Sequence, residues 1–367
     1  MNKSKLLAST VLVSAAAVMA AAPASAAKLN LGGYYEQWIG YADDNQSGNV
    51  NSFDVKQDAE FYFSFKEKLS NGLTVGGRFE MEAGQGNNHG ITAGQDSGAT
   101  ASSTDGAGFD EASLYIQGSF GKILIGNNDV AAAYTGGASV VGPIGLIKSD
   151  AGDWLSFGSA MNNSDLDLGI GDAGNVTYWT PKMNGLQLIA SYTPDASDNA
   201  IGDYDASEQS GAHNHISASL QYTGKSGGTS YKVAMGVARV ENTDANGNDE
   251  ESGVNFAVDI KSGATRLTVA YAKENDTADK DSWLGIGLRY KLDKTNEVSF
   301  GYGYSLEDRA VDETTKLYTL GYERKLGKGV SLAASAFYVD HDDKANGTLR
   351  NRDLKKGGIV GGVKVDF

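Results

Sequence analysis

Apolar side chains recur at every second position through most of the chain. Toward its end Ile359, Gly361, Val363, Val365 and Phe367 share one phase, while Lys364 and Asp366 occupy the other. Val298, Phe300, Tyr302 and Tyr304 alternate with Ser299, Gly301, Gly303 and Ser305. Leu284, Ile286, Leu288, Tyr290 and Leu292 alternate with Gly285, Gly287, Arg289 and Lys291. This rhythm places apolar side chains on one face of a strand and polar ones on the other. It predicts sixteen strands, near 28–41, 55–69, 72–83, 109–119, 120–127, 174–181, 184–193, 213–224, 229–240, 252–262, 264–274, 281–292, 295–306, 314–326, 329–340 and 355–367. The fifth is ambiguous, because Ile123, Leu124 and Ile125 run together.

A soluble sandwich alternates too, so the connections decide between architectures. Ser70-Asn71-Gly72, Asn184-Gly185, residues 225–228, Ser262-Gly263 and Gly327-Lys328-Gly329 are tight turns built on Gly and Asn, which accept positive φ. Between them lie long polar stretches at 42–54, 84–108, 128–173, 194–212, 241–251 and 341–353. Short turns on one side and long connections on the other are the pattern of a transmembrane barrel. An even number of antiparallel strands brings the last beside the first and leaves no edge unpaired. The expected fold is therefore all-β, a sixteen-stranded antiparallel barrel too wide for its own side chains to fill, hence wet inside.

The charges agree with that picture. Glu60, Lys66, Arg78, Glu80, Asp259, Arg266, Arg289 and Glu323 all sit in the polar phase, and a basic side chain facing lipid at the midplane would cost about 2–4 kcal/mol. Tyr41, Tyr192, Tyr222, Tyr271, Trp283, Tyr304 and Tyr338 lie near strand ends, as expected for aromatic girdles at the two interfaces. A mean hydropathy of −0.33 excludes a bundle of spanning helices. The absence of cysteine removes disulfides, thiol catalysis and Cys-type zinc sites. With 46 acidic against 31 basic side chains, the net charge of −15 argues against a nucleic-acid partner.

Residues 1–26 read as a secretory signal peptide. Lys3 and Lys5 precede an apolar run over 6–22, and Ala24-Ser25-Ala26 puts small residues where cleavage occurs. Cleavage removes two lysines and no acids, leaving residues 27–367 as one barrel domain of net charge −17.

Three stretches are similar to those of the Gram-negative general porins, in the alphaproteobacterial style. Residues 109–127 (FDEASLYIQGSFGKILIGN) resemble that family's strand pair with a central Phe-Gly turn, and 175–194 (NVTYWTPKMNGLQLIASYTP) its strand–turn–strand with an Asn-Gly-Leu core. The alternating segment ending in Phe367 resembles the signal read by the outer-membrane assembly machinery. The resemblance implies a homotrimer in the outer membrane, in contact with lipid and lipopolysaccharide, passing ions and small hydrophilic solutes. It also implies a third external connection, here 128–173, folded into the lumen to narrow it. The apolar middle of that connection, 140–147, suits packing on an inner wall better than exposure. Asn128 or Asp129 is placed to cap a short helix beginning near Val130.

The sequence departs from the family where selectivity is set. Positions that the resemblance makes basic hold Tyr34, Tyr62 and Trp179, and strand four opens with Asp110-Glu111. The tip of the third connection is Ile144, leaving Asp150 and Asp153 as the nearest carboxylates, with Asp129 at the start of this constriction loop. Lys56, Lys66 and Arg78 remain on the wall with Glu60 and Glu80. With acid-rich connections, a mild cation preference is expected, since acids at a pore mouth concentrate cations. Two other readings are a sugar-type channel with Tyr34, Tyr62 and Trp179 as a stacking track, and a plugged barrel serving as a structural or adhesive surface protein.

No enzyme is expected. His89, His213, His215 and His341 fall in long connections or at the rim, where solvated residues are the rule. His213 and His215 share a strand face, but no third ligand completes a metal site. The acidic stretch 244–251 has its glycine at the fourth place rather than the sixth of a calcium loop. No cofactor is expected, apart from Ca²⁺ or Mg²⁺ bridging acidic external connections to lipopolysaccharide phosphates.

Overall fold

The computed structural model of the protein describes residues 27–42, 52–82, 111–136, 154–155, 166–196, 211–244, 247–275, 280–308, 313–343 and 354–367. Sixteen strands follow one another: β1 (Lys28–Ala42), β2 (Phe53–Lys68), β3 (Thr74–Glu82), β4 (Glu111–Gly118), β5 (Gly121–Asn127), β6 (Gly174–Trp179), β7 (Leu186–Asp195), β8 (Gly211–Ser226), β9 (Thr229–Asp244), β10 (Gly247–Ser262), β11 (Thr265–Asn275), β12 (Lys280–Lys291), β13 (Asn296–Asp308), β14 (Glu313–Gly327), β15 (Val330–Asp343) and β16 (Leu354–Asp366). Each pairs antiparallel with its sequence neighbours, and β1 also pairs with β16, so the sheet closes into a barrel. Among the described residues, a short helix, α1 (Ala133–Gly136), lies between β5 and β6. Residues 1–26, expected to be a signal peptide, lie outside the described residues.

Register carries one inward phase around the cylinder. Trp38 stands opposite Gly362 and Lys56, Tyr62 opposite Glu80, and Ser217 opposite Ser191 and Ala238. The other phase faces out. Ile359 is 68% exposed and Leu31 62%, with Leu320, Ile216 and Met235 similarly bare. A belt of this kind around a whole domain is a surface made for an apolar solvent rather than for water. The ambiguous fifth strand resolves the same way: Ile125 points outward and Leu124 is buried inside.

The short turns behave as their composition predicts. Asn184 and Gly185 adopt φ of 51° and 91°, the primed geometry that joins two strands through two residues. Met183 and Leu186 exchange both backbone hydrogen bonds across this turn, at 2.9 Å each. At the seam, Gly33 and Phe367 exchange backbone bonds of 3.1 and 3.0 Å, and the Phe367 ring meets Phe61 at 5.7 Å.

Four expectations are corrected. The stretch 241–251 is not a long connection: β9 runs to Asp244 and β10 starts at Gly247. The signal was hidden because Glu241, Asn242, Thr243 and Asp244 are polar in both phases, whereas the pairing is backbone-driven and is joined by an Arg239–Glu250 ion pair at 2.5 Å. Trp283 is no girdle residue. It lies in the inward phase, opposite to Leu284 and Leu288, and is 3% exposed. His213, His215 and His341 are not solvated: they sit on β8 and β15 with their side chains buried inside the barrel. His341 Nδ1 bonds to Thr315 Oγ1 at 2.8 Å, and His213 Nδ1 meets the Gly211 carbonyl at 2.9 Å. The fourth correction concerns α1, which starts at Ala133, too far along the chain for Asn128 or Asp129 to cap it. His89 lies outside the described residues.

The inner wall is not uniformly polar. Trp38, Ala270, Trp283, Leu317, Phe337, Val339 and Val360 form an apolar patch facing the axis, from β11 round to β1. Left against water, such a patch would be unfavourable by about 25 cal/mol for every Å².

Candidate functional site

The described parts of the 128–173 connection are 128–136, 154–155 and 166–173, and each rests on inward-facing wall residues. Its two ends are tied together by one side chain. Asn175 on β6 donates through Nδ2 to the Asn128 carbonyl and, at 3.1 Å, to the Ala173 carbonyl. Thr177 Oγ1 in turn donates to Asn175 Oδ1 at 2.8 Å, fixing the amide's orientation.

Residues 130–136 lie across β7 to β10 on a seat of small hydroxyl side chains. The Ala131 N–H donates to Ser191 Oγ at 2.8 Å and the Ala132 N–H to Ser217 Oγ at 3.3 Å. Thr135 Oγ1 and Ser219 Oγ are 2.6 Å apart. Asn255 Nδ2 donates to the Ala132 carbonyl at 2.9 Å, while Gln221 Nε2 and Lys232 Nζ reach the Tyr134 carbonyl at 2.8 and 3.1 Å. Backbone groups outside a strand ladder need such partners when buried. Gly236 makes the approach possible, since a Cβ there would meet Thr135 Oγ1 and Asn255 Oδ1. Burial and the carboxylates of Asp129, Glu111 and Asp172 push the Tyr134 hydroxyl above its ordinary range, so it stays neutral.

The other contacts are apolar. Leu155 is buried in the patch of Trp38, Trp283, Leu317, Phe337, Val339 and Val360, with Trp154 packed beside it. A Cβ on Gly40 would run into the Trp154 ring, and one on Gly253 into the Leu166 side chain. Leu166, Leu168, Ile170 and Ala173 cluster with Val130, Ala132, Ala238 and Val240.

Every described residue expected on the wall faces inward. Tyr34 donates to Asp58 Oδ2 at 3.1 Å and lies 6.4 Å from the Tyr62 ring. Tyr62 donates to Glu60 Oε2 at 2.9 Å, and Arg78 stacks on its ring at 4.2 Å while pairing with Glu80. Lys56 pairs with Asp54 at 3.0 Å and stands 5.2 Å from the Trp154 ring. Lys66 stands further along β2, opposite Gly76. Glu111 stands opposite Glu80 and comes together with Asp129 and Asp172, their carboxylate oxygens within 4.8 Å of one another. Trp179, on β6, packs against Tyr134 at 5.3 Å and under Lys122 at 3.9 Å. Ile144, Asp150 and Asp153 lie outside the described residues, as do most residues of the connections 42–54, 84–108, 194–212 and 341–353 considered for Ca²⁺ or Mg²⁺.

On the facing wall, sequence reasoning placed Asp259, Arg266 and Arg289 in the polar phase but did not single out Glu36, Lys232 or Lys261, or find the partners of any of them. Glu36 is fully buried and pairs with Lys364 at 2.9 Å, which also stacks on Tyr34 at 4.4 Å. Arg266 holds Asp259 through two nitrogens, at 2.5 to 3.1 Å. Lys232, Lys261 and Arg289 stand in the same inward phase. All were legible as charges in the polar phase. What was missing was the register that brings them together.

A family model described as Gram-negative porin matches residues 8–344. None of the curated proteins matches the chain. Among solved structures, the trimer form of OmpT from Vibrio cholerae aligns at a TM-score of 0.61 and 14% identity, covering 94% of this chain and 100% of that one. The channel DcaP of Acinetobacter baumannii aligns at 0.62 and 13%, covering 93% and 97%. A refined porin structure aligns at 0.60 and 18%, covering 93% and 100%. At these identities the likeness is one of fold.

Proposed function

As the chain belongs to the Gram-negative porin family, we propose that it is a passive, water-filled diffusion channel for ions and small hydrophilic solutes across the outer membrane. The observation that carries this reading is a closed cylinder, apolar outside, whose inner wall bears charged side chains and a connection seated against it. In this reading the 128–173 connection narrows the lumen, and solutes are sorted by its bore and by the fixed charge around it. The constriction includes Asp129, with Ile144, Asp150 and Asp153 further along the connection, against a wall of Tyr34, Lys56, Glu60, Tyr62, Lys66, Arg78, Glu80, Glu111 and Trp179.

Selectivity follows from how the charges are distributed. Arg78 stands with Glu80 and Lys56 with Asp54, whereas Glu111, Asp129 and Asp172 bring three carboxylates together at the connection's ends. A local excess of acid raises the cation concentration at the narrows, giving a mild cation preference. Assembly as a homotrimer is supported by the trimeric relative of like fold, and residues 1–26 are proposed to be a leader removed on export.

Purified protein in a planar bilayer should give stepwise conductance, with a zero-current potential on the cation side in a salt gradient. A clear anion preference overturns the selectivity argument, and insertion without conduction overturns the channel in favour of a plugged barrel. The same preparation should show a heat-sensitive oligomer on a gel and a mature N-terminus at Ala27.

A further inference from the structure

The charges of the inner wall are sorted along the barrel axis as well as around it. Close to the short turns, the inward phase carries Lys225 on β8, Lys232 on β9, Lys261 on β10, Arg266 on β11, Arg289 on β12 and Lys325 on β14. Lys225, Lys232, Lys261 and Arg266 converge on one recess with Asp259. Acids are present at this level, but Asp259 is gripped by Arg266, and Glu297 and Glu323 leave the belt in net positive balance.

Toward the long connections the same sector reverses sign. Its inward positions hold Asp195 on β7, Glu251 on β10, Glu274 on β11, Asp281 on β12, Glu307 on β13 and Glu313 on β14. Glu274, Asp281 and Glu307 line a single small pocket. On β11 alone Arg266 and Glu274 are eight positions apart, about 26 Å at roughly 3.3 Å per residue. That exceeds the Debye length of about 10 Å at 0.1 M salt, so each belt gathers its own counter-ions.

We propose that the lumen is bipolar along its axis, acidic at the long-connection mouth and basic at the short-turn mouth, and that a single channel therefore rectifies ionic current. The inference rests on the channel reading above. Cations collect at the acidic mouth and anions at the basic one. When the long-connection side is positive, both populations are driven toward the middle of the pore, which fills with carriers. Reversing the voltage draws both outward and empties it. Current is therefore larger with the long-connection side positive.

The experiment is a current–voltage curve of single channels in KCl. The expected ratio between polarities is about two at 0.1 M, falling toward one at 1 M, where the Debye length is about 3 Å. Orientation is read from Lys328→Cys, in the short turn between β14 and β15, labelled from one chamber with an impermeant thiol reagent, since the chain has no other cysteine. The variant K225Q/K261Q/R289Q/K325Q should bring the ratio to about one and move the zero-current potential further toward cations. E251Q/E274Q/D281N/E307Q should also abolish rectification but move that potential toward anions, so either variant reads the idea if the other fails to assemble. An ohmic wild-type channel, rectification of the opposite sense, or a ratio that survives either variant overturns the bipolar lumen alone. A protein that never conducts overturns the channel reading, and this inference with it.

Discussion

The connection between β5 and β6 is held by two seats of opposite character. On β7 to β10, residues 131–135 are met by Ser191, Ser217, Ser219, Gln221, Lys232 and Asn255, whose hydrogen bonds fix the backbone in position. Across the lumen, Leu155 drops into an apolar wall that offers burial and no direction. A hydrogen bond contributes on the order of 1 kcal/mol net but tolerates little displacement, whereas a buried Leu contributes about 1.5–3 kcal/mol and tolerates sliding. The polar seat therefore sets where the connection lies, and the apolar seat anchors it on the other side without fixing a direction.

Leu155→Asp attacks the apolar seat and is the largest single-residue change. A carboxylate cannot remain unpaired among Trp38, Trp283 and Phe337, so the segment should leave the wall and the unitary conductance should rise. The loss exceeds the roughly 2–5 kcal/mol of a Leu-to-Ala truncation, and an unchanged conductance step would contradict it. Gly253→Val is expected to have the next largest effect. Its Cβ would displace Leu166 and also press on the Lys273 carbonyl of β11, so conductance should shift by less than in the Leu155 variant, with a modest fall in thermal stability. Ser217→Ala sharpens the contrast from the other side. It removes the acceptor of the Ala132 N–H and a partner of Ser191, at about 1 kcal/mol per bond. Faster amide exchange confined to residues 131–135, with an unaltered conductance step, is the expected reading; protection as in the parent protein would show that the hydroxyl seat does not set position.

Most of the barrel could be read from the chain because a strand's period is two and a slip by one residue would turn every apolar side chain into the lumen. Leu284, Ile286 and Leu288 fix a face without any partner being known. The apolar inner patch was hidden by the same rule. Trp38, Phe337, Val339 and Val360 stand in the phase assigned to water, and only the folded position of Trp154 and Leu155 explains them. Gly40, Gly236 and Gly253 carried the missing signal, as inward positions without a side chain where a second layer of chain lies close. The site was half legible. Glu60, Arg78 and Glu80 were placed on the wall by periodicity and Tyr34 and Tyr62 by the family resemblance, whereas Glu36–Lys364 joins strands from opposite ends of the sequence and depends on closure. The β9–β10 hairpin was obscured because polar residues in both phases leave no rhythm to count, and backbone pairing needs none.

Closure also governs how the molecule is made. β1 and β16 are neighbours in space but lie more than three hundred positions apart along the chain, and loop closure over such a span is slow and late. Until those two strands meet, the sheet is a curled ribbon with two bare margins, each able to recruit a strand from another copy. Its passage to the membrane is thus a race between sealing on itself and knitting to its neighbours, which makes escort of the unsealed ribbon part of the cost of having no edge at the end.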